Sequence, residues 1–172
     1  MKLRILTVAL FLTSMFATGQ TKVGSIDSEL IIGLMPETKV VLTRLGDYGK
    51  KLDSSYQIKV AEYQQKVAAF QKLTGVSDDF KKIKVDEITE LERGLQQSQD
   101  NGNKLMQLKR NELMRPLYKK LRGVITEVSK AEGYTQILTT TGNEFAYIDE
   151  NYDITKKVMA KLGVKIPDTP KK

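Results

Sequence analysis

The chain has no cysteine, no histidine and no tryptophan, and only 7% of its 172 residues are aromatic. Without Cys there is no disulfide framework and no thiol for a lipid anchor. Without Cys or His, the usual zinc ligand sets and the common nucleophile–base pairs are excluded as well. No glycine-rich loop could cradle a phosphate, because Gly24, Gly33, Gly46 and Gly49 stand at the wrong spacing. Past the N-terminus, no apolar run approaches the roughly 18 residues of a membrane span. The carboxylates Asp86, Glu87, Glu90 and Glu92 lie on a helical stretch among lysines, the pattern of a solvated charged face and not of acid–base chemistry. Together these absences predict a protein that is not an enzyme and holds neither cofactor nor metal.

What the chain does have is helical periodicity over an unusual length. Val41, Leu45, Tyr48, Leu52, Tyr56, Val60, Tyr63, Val67 and Phe70 recur every three or four residues with charged and amide side chains between them, one apolar stripe on a long helix. Thr74 to Asp79 interrupt it, with Gly75 where a helix stops and Ser and Asp where the next is capped. The stripe resumes through Ile83, Ile88, Leu91, Leu95, Leu105, Leu108, Leu113, Leu117, Leu121, Val124 and Val128. A short connection makes the two helices antiparallel neighbours. Counting back from the turn, the return helix regains its starting level near Pro116, where a bend is expected.

Met1 to Gly19 has the form of a secretory leader: Lys2 and Arg4, then an apolar stretch, then small residues at Ala17 and Gly19, with cleavage near Gly19–Gln20. That predicts an exported chain. Losing Lys2 and Arg4 takes two charges from the formal +7 and leaves +5. After the leader, Lys22 to Asp27 reads as a strand and Ser28 as the cap of a short helix, Glu29 to Leu34, with Pro36 opening the long helix. At the far end, Thr135 to Thr139, a Thr141-Gly142-Asn143 turn and Glu144 to Ile148 predict a β-hairpin, and Asp153 caps a last helix, Ile154 to Leu162, stopped by Gly163.

The fold class is therefore α+β and mostly α, a long antiparallel helical hairpin on a small β-rich body. The expected divisions are a leader at 1–19, the first strand and short helix at 20–36, the hairpin arm at 37–115, the rest of the body at 116–166 and a disordered tail at 167–172. Two helices side by side bury one stripe each, and a three-stranded patch is marginal alone. Self-association follows on physical grounds.

Three groups of residues carry functional expectations. Tyr48, Tyr56, Tyr63, Phe70 and Phe80 line the arm with rings that either glue the helices together or face a bound chain, since a Tyr body is apolar and its hydroxyl tolerates water. Gly46 and Gly49 on one helix and Gly102 on the other soften both, and if they lie at one level they form an elbow, with Pro116 as a further hinge. A nucleic-acid role is disfavoured because lysines alternate with acids and the chain is exported. A membrane-surface role is disfavoured because the apolar stripe lacks Trp and is needed inside the hairpin.

The order leader, strand, long hairpin, β-hairpin, terminal helix resembles the Skp/OmpH family of periplasmic chaperones, the seventeen-kilodalton protein of Gram-negative bacteria. The similarity runs over the whole mature chain and is most specific at Lys22-Val23-Gly24-Ser25-Ile26-Asp27, Arg115-Pro116-Leu117-Tyr118, Ala131-Glu132-Gly133-Tyr134 and Phe145-Ala146-Tyr147-Ile148-Asp149. The resemblance implies a periplasmic homotrimer whose arms enclose a cavity. In that cavity unfolded outer-membrane β-barrel proteins are held, without ATP, until they reach the outer-membrane assembly machinery. It places Val23, Ile26, Ile137, Leu138, Ala146 and Tyr147 in the trimerisation body. The resemblance also implies anionic lipid or lipopolysaccharide as a partner, bound in some family members by a basic cluster that is left unassigned in this sequence. The competing expectation is a structural envelope trimer that spaces other proteins and holds no client.

Overall fold

A computed structural model of the chain describes residues 21–165. The expected leader, 1–19, and tail, 167–172, lie outside the described residues. The chain divides into two compact units, one made of the stretches up to Leu34 and from Lys120 onward, the other of Met35 to Lys119.

In the first unit, β1 (Val23–Ile26) pairs with β2 (Gln136–Thr139) in parallel, Val23 opposite Gln136 and Ile26 opposite Thr139. Parallel strands need a long crossover, and the whole helical stretch supplies it. Helix α1 (Ser28–Leu34) follows β1. Its cap is Asp27, not Ser28: the Asp27 carboxylate accepts the Leu30 N–H at 2.9 Å, and Ser28 is the first helical residue. A carboxylate is the stronger acceptor at a helix start. The same carboxylate accepts the Thr141 hydroxyl at 3.2 Å, and the Asp27 N–H donates to the Thr155 hydroxyl at 2.9 Å, so one residue ties three segments.

The C-terminal helix α4 spans Thr155–Leu162, and the Asp153 carboxylate accepts the Thr155 N–H at 2.8 Å. Gly163 ends it at φ 69°, a left-handed conformation that a Cβ would resist. Two ion pairs, Lys157–Glu132 and Lys161–Glu127, both at 2.6 Å, hold α4 to the chain around residues 127–132. The hydrogen bond from Lys157 to Glu132 keeps the Lys157 ammonium charged above its ordinary range. Ile31, Ile32, Val128, Ile154, Val158 and Met159 are buried and form the centre of this unit. Burial pushes the Tyr134 hydroxyl up, and Lys22 sits over its ring at 4.1 Å while donating to the Glu132 carbonyl at 2.8 Å.

The expected β-hairpin does not form. Gln136–Thr139 forms β2, but Glu144 to Ile148 is irregular, so among the described residues the sheet has two strands and not three. Directly after β2 the Thr140 N–H donates to the Ile26 carbonyl at 2.9 Å and Thr141 reaches Asp27, which holds the chain against the end of β1. Phe145, Ala146 and Tyr147 stay exposed, so little burial offsets the entropy of ordering them as a strand.

In the second unit, α2 (Pro36–Gln71) opens on Pro36, whose missing N–H costs nothing there. The chain reverses over residues 72–77 with Gly75 at φ 72°, and α3 (Asp78–Ala131) begins with the Ser77 hydroxyl accepting the Phe80 N–H at 3.4 Å. The helices are antiparallel: Lys59 donates to Ser98 at 3.0 Å, Lys66 lies 4.0 Å from Glu87, and Lys109 sits over the Tyr48 ring at 5.8 Å. Helix α3 continues without a break through Pro116. A helix can absorb one lost hydrogen bond when regular turns flank it on both sides.

Candidate functional site

Met35, Thr38, Val41 and Leu117 are buried at the end of the second unit away from the turn. Among the described residues, none from Leu42 to Pro116 is buried. The stripe residues Leu45, Leu52, Val60 and Val67, with Tyr48, Tyr56, Tyr63 and Phe70 between them, are all half-buried. The seam between the two helices is therefore never sealed. Phe80, beyond the turn, is exposed, with the Lys84 ammonium 5.5 Å from its ring centre.

Two openings along the hairpin follow from this. One, of about 460 Å³, lies among Lys59, Lys66, Glu87, Leu91 and Leu95; the next, of about 370 Å³, lies among Leu52, Ser55, Ser98, Gly102 and Leu105. The glycines are not at one level. Gly49 faces the Met106 side chain, where an added Cβ would stand 3.5 Å from the thioether methyl, while Gly102 is level with Leu52 and Ser55. The turn at 72–77 sets the register and displaces Gly102 from Gly46 and Gly49. Both helices stay regular through all three.

Apolar positions of the arm stay open both on and off the stripe. Leu42, Ile58, Ile83 and Leu108 are exposed, Ile58 at 72%. Ile83 and Leu108 are stripe positions, whereas Leu42 and Ile58 lie off the stripe. Single residues off the main stripe give no periodic signal, and that is why they escape pattern analysis.

The polar rows are internally paired. Lys81–Asp78, Lys84–Glu87, Arg93–Glu90 and Lys109–Glu112 are all three apart on α3. Two hydrogen bonds of 2.9 Å from Lys84 hold the Glu87 carboxyl below its usual range, with Lys66 adding to the effect. This pairing is complete at neutral pH and is lost as pH falls through the lowered value. Replacing Lys84 with Met should return Glu87 towards an ordinary carboxylate titration by NMR; an unchanged titration would show that Lys84 is not the cause.

In the first unit, Ile26 is buried, Ile137 is half-buried, and Val23, Leu138, Ala146 and Tyr147 are exposed. Five of those six residues are thus open or partly open to solvent. Among the described residues no cluster of carboxylates could hold a metal ion, and no helix is long and apolar enough to cross a membrane.

The family model for outer membrane protein (OmpH-like) matches residues 22–162. The chain belongs to the OmpH-like family. A solved structure from Caulobacter crescentus, described as a candidate outer membrane chaperone of OmpH-like type, superposes with a TM-score of 0.64 at 17% identity, covering 85% of this chain and 86% of that one. At that identity the likeness is one of fold: helical hairpin and small sheet are the OmpH-like architecture. No curated protein matches the sequence.

Proposed function

We propose that this OmpH-like protein is an ATP-independent holdase chaperone of the periplasm that binds unfolded outer-membrane β-barrel proteins between the arms of a homotrimer and prevents their aggregation. The observation that carries the reading is the arm itself. From Leu42 to Pro116 it buries nothing fully, and it leaves Ile58, Ile83, Leu105 and Leu108 open to solvent. Exposed apolar residues distributed along a polar, internally paired helix suit a client without fixed shape, since many weak contacts replace one site. The positive formal charge of the chain attracts acidic chains at long range. The Caulobacter crescentus relative, described in chaperone terms, supports the same reading.

The test is to dilute a urea-denatured outer-membrane β-barrel into buffer with the mature protein and no nucleotide, and to follow light scattering. The barrel is expected to stay soluble near one trimer per client. Replacing Ile58 and Leu108 with Ser should weaken that protection severalfold while leaving the helical circular dichroism unchanged. A barrel that precipitates equally with and without the protein would sink the holdase reading. The rows of three-apart ion pairs, which stiffen α3, would then favour the envelope spacer instead.

A further inference from the structure

The two openings along the hairpin are neighbours in one groove. Lys59 and Gly94 line both of them, and the hydrogen bond from Lys59 to Ser98, at 3.0 Å, is the bar between them. Exposed and made to a neutral hydroxyl, that bond holds the two sides together only weakly. On α3 the groove is bordered by Gly94 at the first opening and by Gly102 at the second. Glycine weakens a helix interior, and neither position has a turn or a close approach to account for it. Both stay helical, and a Cβ added at either would meet nothing within 4 Å. The space beside them is left open by the missing side chains and is not filled by the opposite helix.

We infer that the groove between α2 and α3 takes an extended segment of polypeptide, so that each hairpin holds a piece of client within its own seam. This placement rests on the client-holding role proposed above and names the position and conformation in which the client is held. The dimensions favour an extended chain. From Leu52 to Lys66 on α2 the groove runs about 21 Å, the length of about six extended residues. Over that length a helix about 10 Å across occupies about 1,600 Å³, and a strand about 4.8 Å by 10 Å in section occupies about 1,000 Å³. Openings of about 460 and 370 Å³ suit a strand whose outer side chains stay in water, and they are too small for another helix.

The chemistry favours a polypeptide over an acyl chain of similar length. Leu91 and Leu95 supply apolar lining in the first opening, beside charges of both signs, Lys59 and Lys66 against Glu62 and Glu90. The second opening adds the amides of Gln97 and Asn101. Amides and mixed charges complement the N–H and C=O groups that alternate along an extended backbone. An acyl chain offers them no partner.

The experiment follows the fluorescence anisotropy of a labelled peptide of about eight residues, Leu alternating with Ser, on titration with the full mature chain. The parent should bind one peptide per chain. The Gly94→Leu/Gly102→Leu double variant should raise the Kd about tenfold or more while its circular dichroism melt stays at or above that of the parent, because the change that fills the groove also strengthens the helix. A merely structural role for the two glycines would lower stability and binding together. Gly94→Ala/Gly102→Ala fills less and keeps the test alive if the larger change disturbs the fold; it should raise the Kd about threefold. Gly46→Leu is the control, since Gly46 lies outside both openings and its added Cβ also meets nothing within 4 Å. Its Kd should match that of the parent. Unchanged or tighter binding in both double variants overturns the inference, as does saturation at one peptide per assembly or a parent that binds no peptide. So does a fluorescent fatty acid that displaces the peptide and is lost with the same substitutions, since the occupant is then an acyl chain. Protection of a denatured β-barrel is followed by light scattering on the same samples. A parent that protects the barrel but fails the peptide test sinks the seam alone, and glycine-dependent peptide binding without protection sinks the holdase reading alone.

Discussion

Replacing Gly24 with Ala should destabilise the first unit by about 2–3 kcal/mol, the upper part of the usual range for overpacking. A Cβ built on Gly24 would lie 2.7 Å from Cε1 of Tyr134, 2.8 Å from Cδ1 of Ile137 and 2.9 Å from the Tyr152 carbonyl oxygen. The Ile137 methyl can turn away. The Tyr134 ring is buried beneath the Lys22 ammonium, and the Tyr152 oxygen is backbone, so neither yields without moving the chain around it. The effect is one of space and not of backbone conformation. In a thermal melt, such a loss lowers the midpoint by about 4–8 °C per kcal/mol for a unit this small. Gly33→Ala is the control, since nothing stands within 4 Å of its added Cβ. A Gly24→Ala melt within a degree of the parent would show that β1 shifts freely and would weaken the case for a tightly built sheet.

Ile154→Ala is expected to cost more, about 2–5 kcal/mol, as fully buried large-to-small changes do. Ile154 is completely buried, its N–H donates to the Ser25 carbonyl at 3.0 Å, and its carbonyl accepts the first bond of α4 from Val158 at 3.0 Å. It joins the sheet to the terminal helix. Among its described residues the unit has two four-residue strands and a small buried centre, and so small a core leaves little margin. The expected result is a first unit that is largely unfolded at 37 °C in urea titration or hydrogen exchange. The long helices should keep much of their circular dichroism. The same truncation at Ile58, on the open arm, should stay within about 0.5 kcal/mol of the parent. Equal effects at the two positions would mean that burial does not govern stability here.

Much of this architecture was legible because long helices leave a repeating signal. The apolar stripe from Val41 to Phe70, the interruption around Gly75 and the resumed stripe to Val128 required no tertiary information, since each follows from the 3.6-residue period and from helix-stop chemistry. Pro36, Asp153 and Gly163 marked helix ends for the same local reasons. Local rules failed where two segments compete. Asp27 and Ser28 are both good caps, and only the approach of Thr141 and Thr155 from distant parts of the chain selects Asp27. Glu144 to Ile148 has strand composition, yet Phe145, Ala146 and Tyr147 stay exposed, and too little burial offsets the entropy of ordering them as a strand. The buried Ser25 hydroxyl, which has no hydrogen-bond partner among the described residues, had no sequence signal, because a serine in a strand is ordinary until its neighbours are known.

Composition and period alone make this a Cys- and His-free chain, without thiol or imidazole side chains, built on a helical hairpin whose single stripe per helix is too thin to seal it. Composition and period are properties of the chain, and they survive any packing. Only the tertiary structure decided the parallel pairing of β1 with β2, the level at which Gly102 meets the opposite helix, and which apolar side chains stay uncovered. Those depend on contacts between residues far apart in the chain, 39 positions for Lys59 and Ser98 and 113 for Lys22 and Thr135, where periodicity carries no information about the partner.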